Sequence, residues 1–130
     1  MMSNVPKNLK YTKDHEWVRR EGNSMVVGVT DHAQEALGDV VYVELPKLGS
    51  TVTEGQSFGV IESTKAVSEL FAPVTGKVVK VNDELQNAPQ TVNQDPYEAG
   101  WIIEVEPSNA AQFDSLLDAD AYEKLLATTP

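Results

Sequence analysis

Along the middle of the chain, short β-branched and apolar runs are broken at close intervals by Gly, Pro, Asn and Asp. That rhythm belongs to strands joined by turns, in a sandwich or barrel. Seven or eight strands are expected, over residues 15–19, 25–29, 40–45, 51–52, 57–62, 67–71, 77–81 and 101–105. Two islands follow a helical period instead. Thr30 or Asp31 can cap a short helix near 31–37, with Gly38 as its left-handed stop. In the tail, Phe113, Leu116 and Leu117, then Tyr122, Leu125 and Leu126, fall at helical spacing and predict a segment covering one open face of a sheet.

An internal repeat organises the strands. Gly38-Asp39-Val40-Val41-Tyr42-Val43-Glu44 is answered by Gly76-Lys77-Val78-Val79-Lys80-Val81-Asn82 at an offset of 38. Gly59-Val60-Ile61-Glu62 is then echoed by Gly100-Trp101-Ile102-Ile103-Glu104. Because both matches occur in the same order, the pattern points to a duplicated half-barrel with its seam at Ser63-Thr64-Lys65-Ala66-Val67.

Composition narrows the function. At 130 residues the chain has the length of about one domain, and 41% hydrophobic residues exclude wholesale disorder. Ten basic against twenty acidic side chains give a net charge of −10; such a field repels phosphate backbones, so nucleic-acid binding is not expected and basic docking partners are. The absence of cysteine removes disulfides, thiolate nucleophiles and Cys-ligated metals. Apolar runs such as Val40–Val43 are too short to span a bilayer, and Met1-Met2-Ser3-Asn4-Val5-Pro6 has no apolar signal core. A cytoplasmic bacterial protein without membrane contact is the expectation.

The seam places one lysine, Lys65, at a predicted hairpin tip between residues 59–62 going out and 67–71 coming back. Loop tips on rigid scaffolds are where function collects. A bare lysine between Glu62 and Glu69 lacks the burial or neighbouring cation that would make its amine a base. It does offer an attachment point, which acylation would turn into a long neutral arm.

The residues around it resemble a known pattern. Gly59-Val60-Ile61-Glu62-Ser63-Thr64-Lys65-Ala66-Val67-Ser68-Glu69-Leu70, followed by Ala72-Pro73-Val74-Thr75-Gly76-Lys77-Val78, resembles the lipoylation hairpin of a lipoyl domain. Four further blocks are similar to the glycine cleavage H-protein family: Tyr11-Thr12-Lys13-Asp14-His15-Glu16-Trp17-Val18, Gly28-Val29-Thr30-Asp31-His32-Ala33-Gln34, Gly38 through Pro46, and Asp95-Pro96-Tyr97-Glu98-Ala99-Gly100-Trp101. The resemblance runs from about Leu9 to Leu126. It implies a mainly β barrel-sandwich hybrid of two small antiparallel sheets, with a core over about 22–106, an N-terminal extension over 1–21 and a C-terminal helical segment over about 108–127. It further implies a non-catalytic, monomeric carrier whose Lys65 bears lipoic acid in amide linkage. The partners implied are a pyridoxal-phosphate glycine decarboxylase, a folate-dependent aminomethyltransferase, dihydrolipoyl dehydrogenase, and a lipoyl or octanoyl transferase or lipoate ligase.

Individual positions follow from the same resemblance. Glu62 and Gly76 match positions that help the lipoylating enzyme recognise its target, while a solvated strand-end carboxylate and a turn glycine are the bland readings. Glu16 and Glu69 match acidic positions lining the cleft that receives the arm, with His32 near it; solvated surface carboxylates are the alternative. Ala36 stands where some members carry a second cleft histidine, so the resemblance does not extend to that wall. His15 and His32 lack a third ligand at zinc spacing, and Trp17 and Trp101 read as core. No nucleotide-binding glycine loop or nucleophile elbow is present. Biotinyl domains place Met on both sides of the lysine, and 2-oxo acid dehydrogenase domains show Asp-Lys-Ala, whereas Thr64 and Ala66 flank Lys65 here. A lipoyl relay serving another complex stays open, since it would also need Lys65.

Overall fold

The computed structural model describes residues 4–128, so the expectation about a leader at Met1–Ser3 lies outside the described residues. Nine strands are described: β1 (Lys10–Tyr11), β2 (Glu16–Glu21), β3 (Ser24–Val29), β4 (Val40–Glu44), β5 (Thr51–Val52), β6 (Ser57–Ser63), β7 (Val67–Phe71), β8 (Gly76–Val81) and β9 (Ile103–Pro107). They form a six-stranded sheet, β1-β2-β3-β9-β8-β5, and a three-stranded sheet, β4-β6-β7. Every pairing is antiparallel. Val18, Met25, Val27, Val43, Ile61, Val74, Val78 and Ile103 meet in the main core, as strand alternation sends every second side chain to one face.

The repeat is structural. Val43 pairs with Ile61 and Tyr42 with Glu62 in the small sheet; Val81 pairs with Ile103 and Lys80 with Glu104 in the large one. Both ladders slip at the same place, between Val40 and Tyr42 and between Val78 and Lys80. A β-bulge retained in both copies is a shared device for coiling the strands. The trio β8-β9-β3 is therefore the counterpart of β4-β6-β7.

Helices close the open surfaces. The first, α1 (Asp31–Leu37), is capped by Thr30, whose Oγ1 accepts from Ala33 N–H at 3.2 Å, and stopped by Gly38 at φ +79°. The expected C-terminal segment is divided into α3 (Ala111–Asp114) and α4 (Ala119–Thr128). The break has a physical cause: Leu117 leaves the helical path to exchange two backbone hydrogen bonds with Tyr11 of β1, at 2.7 and 2.9 Å. Asp118 then restarts the helix, its Oδ1 accepting from Ala121 N–H. A second apolar cluster, with Tyr11, Trp17, Val26, Ala119 and Tyr122, lies between the outer face of the large sheet and α4.

Four details differ from the sequence reading, the first being β1 at Lys10–Tyr11, which the expected strands did not include. The strand expected at 15–19 begins at Glu16, because His15 sits in the left-handed region at φ +69°. The strand expected at 101–105 is β9 at 103–107; Trp101 belongs to the preceding turn, where its N–H donates to Glu98. A 3-10 turn (Asp83–Gln86) and the one-turn helix α2 (Thr91–Gln94) had no periodic signal long enough to read.

Candidate functional site

The β6–β7 hairpin ends in a tight tip. Its last ladder pair is Glu62 with Val67, and Ser63 N–H donates to the Ala66 carbonyl at 2.8 Å. Ser63 Oγ accepts from the N–H groups of Lys65 and Ala66 at 3.3 and 3.1 Å, a side-chain turn of the kind serine favours. Thr64 N–H donates to the Asp39 carbonyl at 3.0 Å, tying the tip to the loop after α1. Lys65 is exposed, and its stem crosses Gly38, where a Cβ would stand 3.3 Å from Lys65 Cε. The sequence reading placed Ser63 only in the seam segment, and its role in ordering the two following amides escaped it.

Beside the tip opens a cleft of about 310 Å³. One wall is Ala33, Ala36 and Leu37 of α1; another is the run Ala66 to Leu70; Val29 and Ile61 back it, and Asp14, His15 and Glu16 close it. Five successive residues of the β7 limb line the cleft, so its edge, not one face, borders the space. The free edge is partly satisfied from across the cleft: Glu16 Oε2 accepts from Phe71 N–H at 3.1 Å, while Oε1 accepts from the Thr12 hydroxyl at 2.6 Å.

Glu16 is 2% exposed. Burial pushes its carboxyl up to about 7, against the two hydrogen bonds, which favour the charged form; nearby Asp14 adds to the rise. A second cleft of about 410 Å³, lined among others by Thr12, Lys13, Pro73 and Leu116, lies on the other side of the same residue. Glu16 thus partitions two spaces.

Of the residues singled out from sequence, Glu16 and Glu69 line one cleft. His32 stands behind it, its ring 4.6 Å from that of His15, and it is His15 that reaches the lining. His15 was weighed only as a metal ligand; its place between Asp14 and Glu16 was the available signal, but its left-handed backbone is not visible in a pattern. Glu62 is half-buried at the end of β6, next to the tip. Gly76 lies in the other sheet, opposite Val52 and Pro107. A Cβ there would fall 2.3 Å from the Glu106 carbonyl oxygen, so packing alone demands glycine. Among the described residues no cluster of three or more His, Asp or Glu side chains is arranged to hold a metal ion.

A sequence profile described as glycine cleavage H-protein matches residues 9–129. The glycine cleavage system H protein of Myxococcus xanthus (strain DK1622) is 70% identical over 126 residues, covering 97% of this chain and 98% of that protein. The protein of the same name from Carboxydothermus hydrogenoformans is 56% identical over 125 residues, with 96% of each chain covered. Among solved structures, the crystal structure of a glycine cleavage system H protein from Mycobacterium marinum superposes with a TM-score of 0.87 at 42% identity, covering 95% of this chain and 99% of that one.

Proposed function

The chain belongs to the glycine cleavage H-protein family, and from that premise we propose that it is a non-catalytic carrier whose Lys65 bears lipoic acid in amide linkage. It takes the aminomethyl group of glycine from a pyridoxal-phosphate glycine decarboxylase to a tetrahydrofolate-dependent aminomethyltransferase, and dihydrolipoyl dehydrogenase reoxidises it. A lipoyl or octanoyl transferase, or a lipoate ligase, attaches the arm, with Glu62 and Gly76 helping it recognise the hairpin. The carrier works as a monomer in the bacterial cytoplasm. In support, the relatives above come from bacteria, and among the described residues no helix is long and apolar enough to cross a membrane.

One observation carries the reading: an exposed lysine on a tied-down tip, one residue before Ala66, where the β7 limb begins to line a cleft that is apolar along its wall and acidic where it closes. Such a cleft fits an arm with a hydrocarbon stem and a polar end. Lipoic acid, when bound, would supply a disulfide that is reduced and opened as the one-carbon amine is taken up on one sulfur, leaving a dithiol to be reoxidised once the amine has been released. The protein supplies the rest. Ala33, Ala36, Leu37, Val29 and Ile61 offer apolar surface to the stem. Glu16 and Glu69 hold a protonated amine by charge-assisted hydrogen bonds, and the cation in turn favours loss of the Glu16 proton. The hydrogen-bonded tip limits the entropy lost at each docking, while tethering raises the local concentration of the cargo.

The intact mass of the protein from its native host, with peptide mapping across Lys65 and a Lys65→Arg control, tests the proposal. A lipoyl increment confined to Lys65 and lost in the control is expected. A biotinyl increment, or no increment in a host with an active lipoylation pathway, overturns it.

A further inference from the structure

The cleft has a wall whose protonation can be read from the donors and acceptors behind it. Thr30 is fully buried, and its Oγ1 has two hydrogen-bond partners among the described residues: it accepts from Ala33 N–H at 3.2 Å and lies 2.8 Å from the Tyr122 hydroxyl. Tyr122, also fully buried, places the same hydroxyl 2.8 Å from Nδ1 of His15. His15 is pinned in its left-handed backbone by Thr30 as well, since the His15 carbonyl accepts from Thr30 N–H at 3.0 Å.

Proton counting gives this chain a direction. If His15 Nδ1 carried a proton it would donate to Tyr122, Tyr122 would donate to Thr30, and the Thr30 hydroxyl proton would face no acceptor in a site closed to water. In the opposite sense, Thr30 donates to Tyr122 and Tyr122 donates to a bare Nδ1. Every proton then has an acceptor, as buried polar groups require.

We infer that Tyr122 of α4 is a positioning residue of the cleft, relaying the Thr30 hydroxyl to His15 so that the imidazole stays neutral, with Nδ1 as acceptor and its single proton on Nε2. The groups around the ring agree in sum. Burial, then the His32 ring on α1, hold the His15 imidazole below its ordinary range, against the pull of Asp14 beside it; Glu16 and Glu69 share the lining. Protonating His15 would reverse the whole hydrogen-bond chain, which opposes the charge further. The consequence rests on the carrier reading: a wall free of positive charge leaves the carboxyl groups of the lining, Asp14, Glu16 and Glu69, as the groups a protonated amine meets. The tautomer itself does not depend on that reading.

Long-range proton–nitrogen NMR of the uniformly labelled, unlipoylated chain between pH 5 and 8 tests the inference. At pH 7, His15 should show the neutral Nε2–H tautomer with a bare Nδ1, and should titrate below about 6.5, the ordinary imidazole value. Tyr122→Phe keeps the ring stacked on Tyr11, 4.6 Å away, but removes the relay. The Nδ1–H tautomer should then appear and the midpoint should rise by about half a unit to one unit. Thr30→Ser, which keeps the hydroxyl, should retain the wild-type pattern. A wild-type His15 protonated on Nδ1 at pH 7, or a folded Tyr122→Phe variant with an unchanged spectrum, overturns the inference; should that variant fail to fold, the wild-type spectrum decides alone. Absence of lipoylation at Lys65 would sink the carrier reading and leave these spectra as they are.

Discussion

Strands β3 and β7 hold the same place in the two halves of the repeat and live in different surroundings. Each pairs with the inner strand of its trio: Val26 of β3 lies opposite Glu104, and Val67 of β7 lies opposite Glu62, the matching position. Both valines face away from the main core. Val26 is nevertheless 3% exposed, because the second cluster with Tyr11, Trp17 and Tyr122 covers it, while Val67 is 67% exposed. The edges differ too. β3 is taken up along its whole length by β2, whereas β7 meets a cleft and one carboxylate, Glu16. A duplicated half-barrel is near-symmetric in its ladders, and the additions to one copy make the other available. The exposed tip and the cleft lie on the strand that received no covering layer.

The sharpest way to test that division is at the tip. Lys65→Arg should abolish attachment of the arm completely, because a guanidinium is not an acylatable amine, yet change the unfolding free energy by less than about 0.5 kcal/mol, since the side chain is exposed. Mass spectrometry and urea unfolding of one sample would separate the two effects. Loss of stability with loss of attachment would mean that the tip is part of the structural half.

The covered half should respond in the opposite manner. Gly76→Ala drives a Cβ against the Glu106 carbonyl oxygen and to within 2.8 Å of Pro107 Cα, backbone that cannot rotate away. A loss of about 3 kcal/mol is expected in urea unfolding. If stability is unchanged and lipoylation alone fails, recognition and not packing accounts for this glycine.

Glu16 joins the halves, and its effect depends on pH. Its native carboxyl, at about 7, holds its proton more tightly than the unfolded chain does at 4.5. Its ionisation therefore costs nothing below pH 4.5, costs more as pH rises through that interval, and levels off above about 7. Glu16→Gln, which can still accept from Phe71 N–H and donate to Thr12, should be near neutral at pH 4.5 and stabilising by up to about 3 kcal/mol at pH 8. His15 slopes the other way: held below its unfolded value, it lowers stability only as pH falls through 6.5. Urea midpoints at four pH values would check the sign, and a variant that loses stability at pH 8 would refute the account of Glu16.

The smallest effects compare the strands directly. Val26→Ala should cost about 2 kcal/mol, the value of a covered valine, and Val67→Ala less than about 0.5 kcal/mol. Equal costs would mean that β7 is as covered as β3 in solution.

Much of this architecture is local information. Strand alternation, the cap at Thr30 and the stop at Gly38 depend on residues a few positions apart, so they can be read from the sequence. The repeat is legible for the same reason, and it placed Lys65 at a tip before any fold was known. The covering of one copy and not the other depends on where a distant helix lands. The Thr30–Tyr122 contact spans 92 residues and the His15–Tyr122 contact 107. The break at Leu117 depends on Tyr11, and the pKa of Glu16 depends on desolvation by segments far along the chain. Sequence by itself determined most of the strands, the capped helix, the repeat and the lysine. Only the tertiary structure decided which carboxylate is buried, which histidine faces the cleft and which edge stays open, because burial and hydrogen-bond direction are properties of the assembled neighbourhood, and no side chain carries them alone.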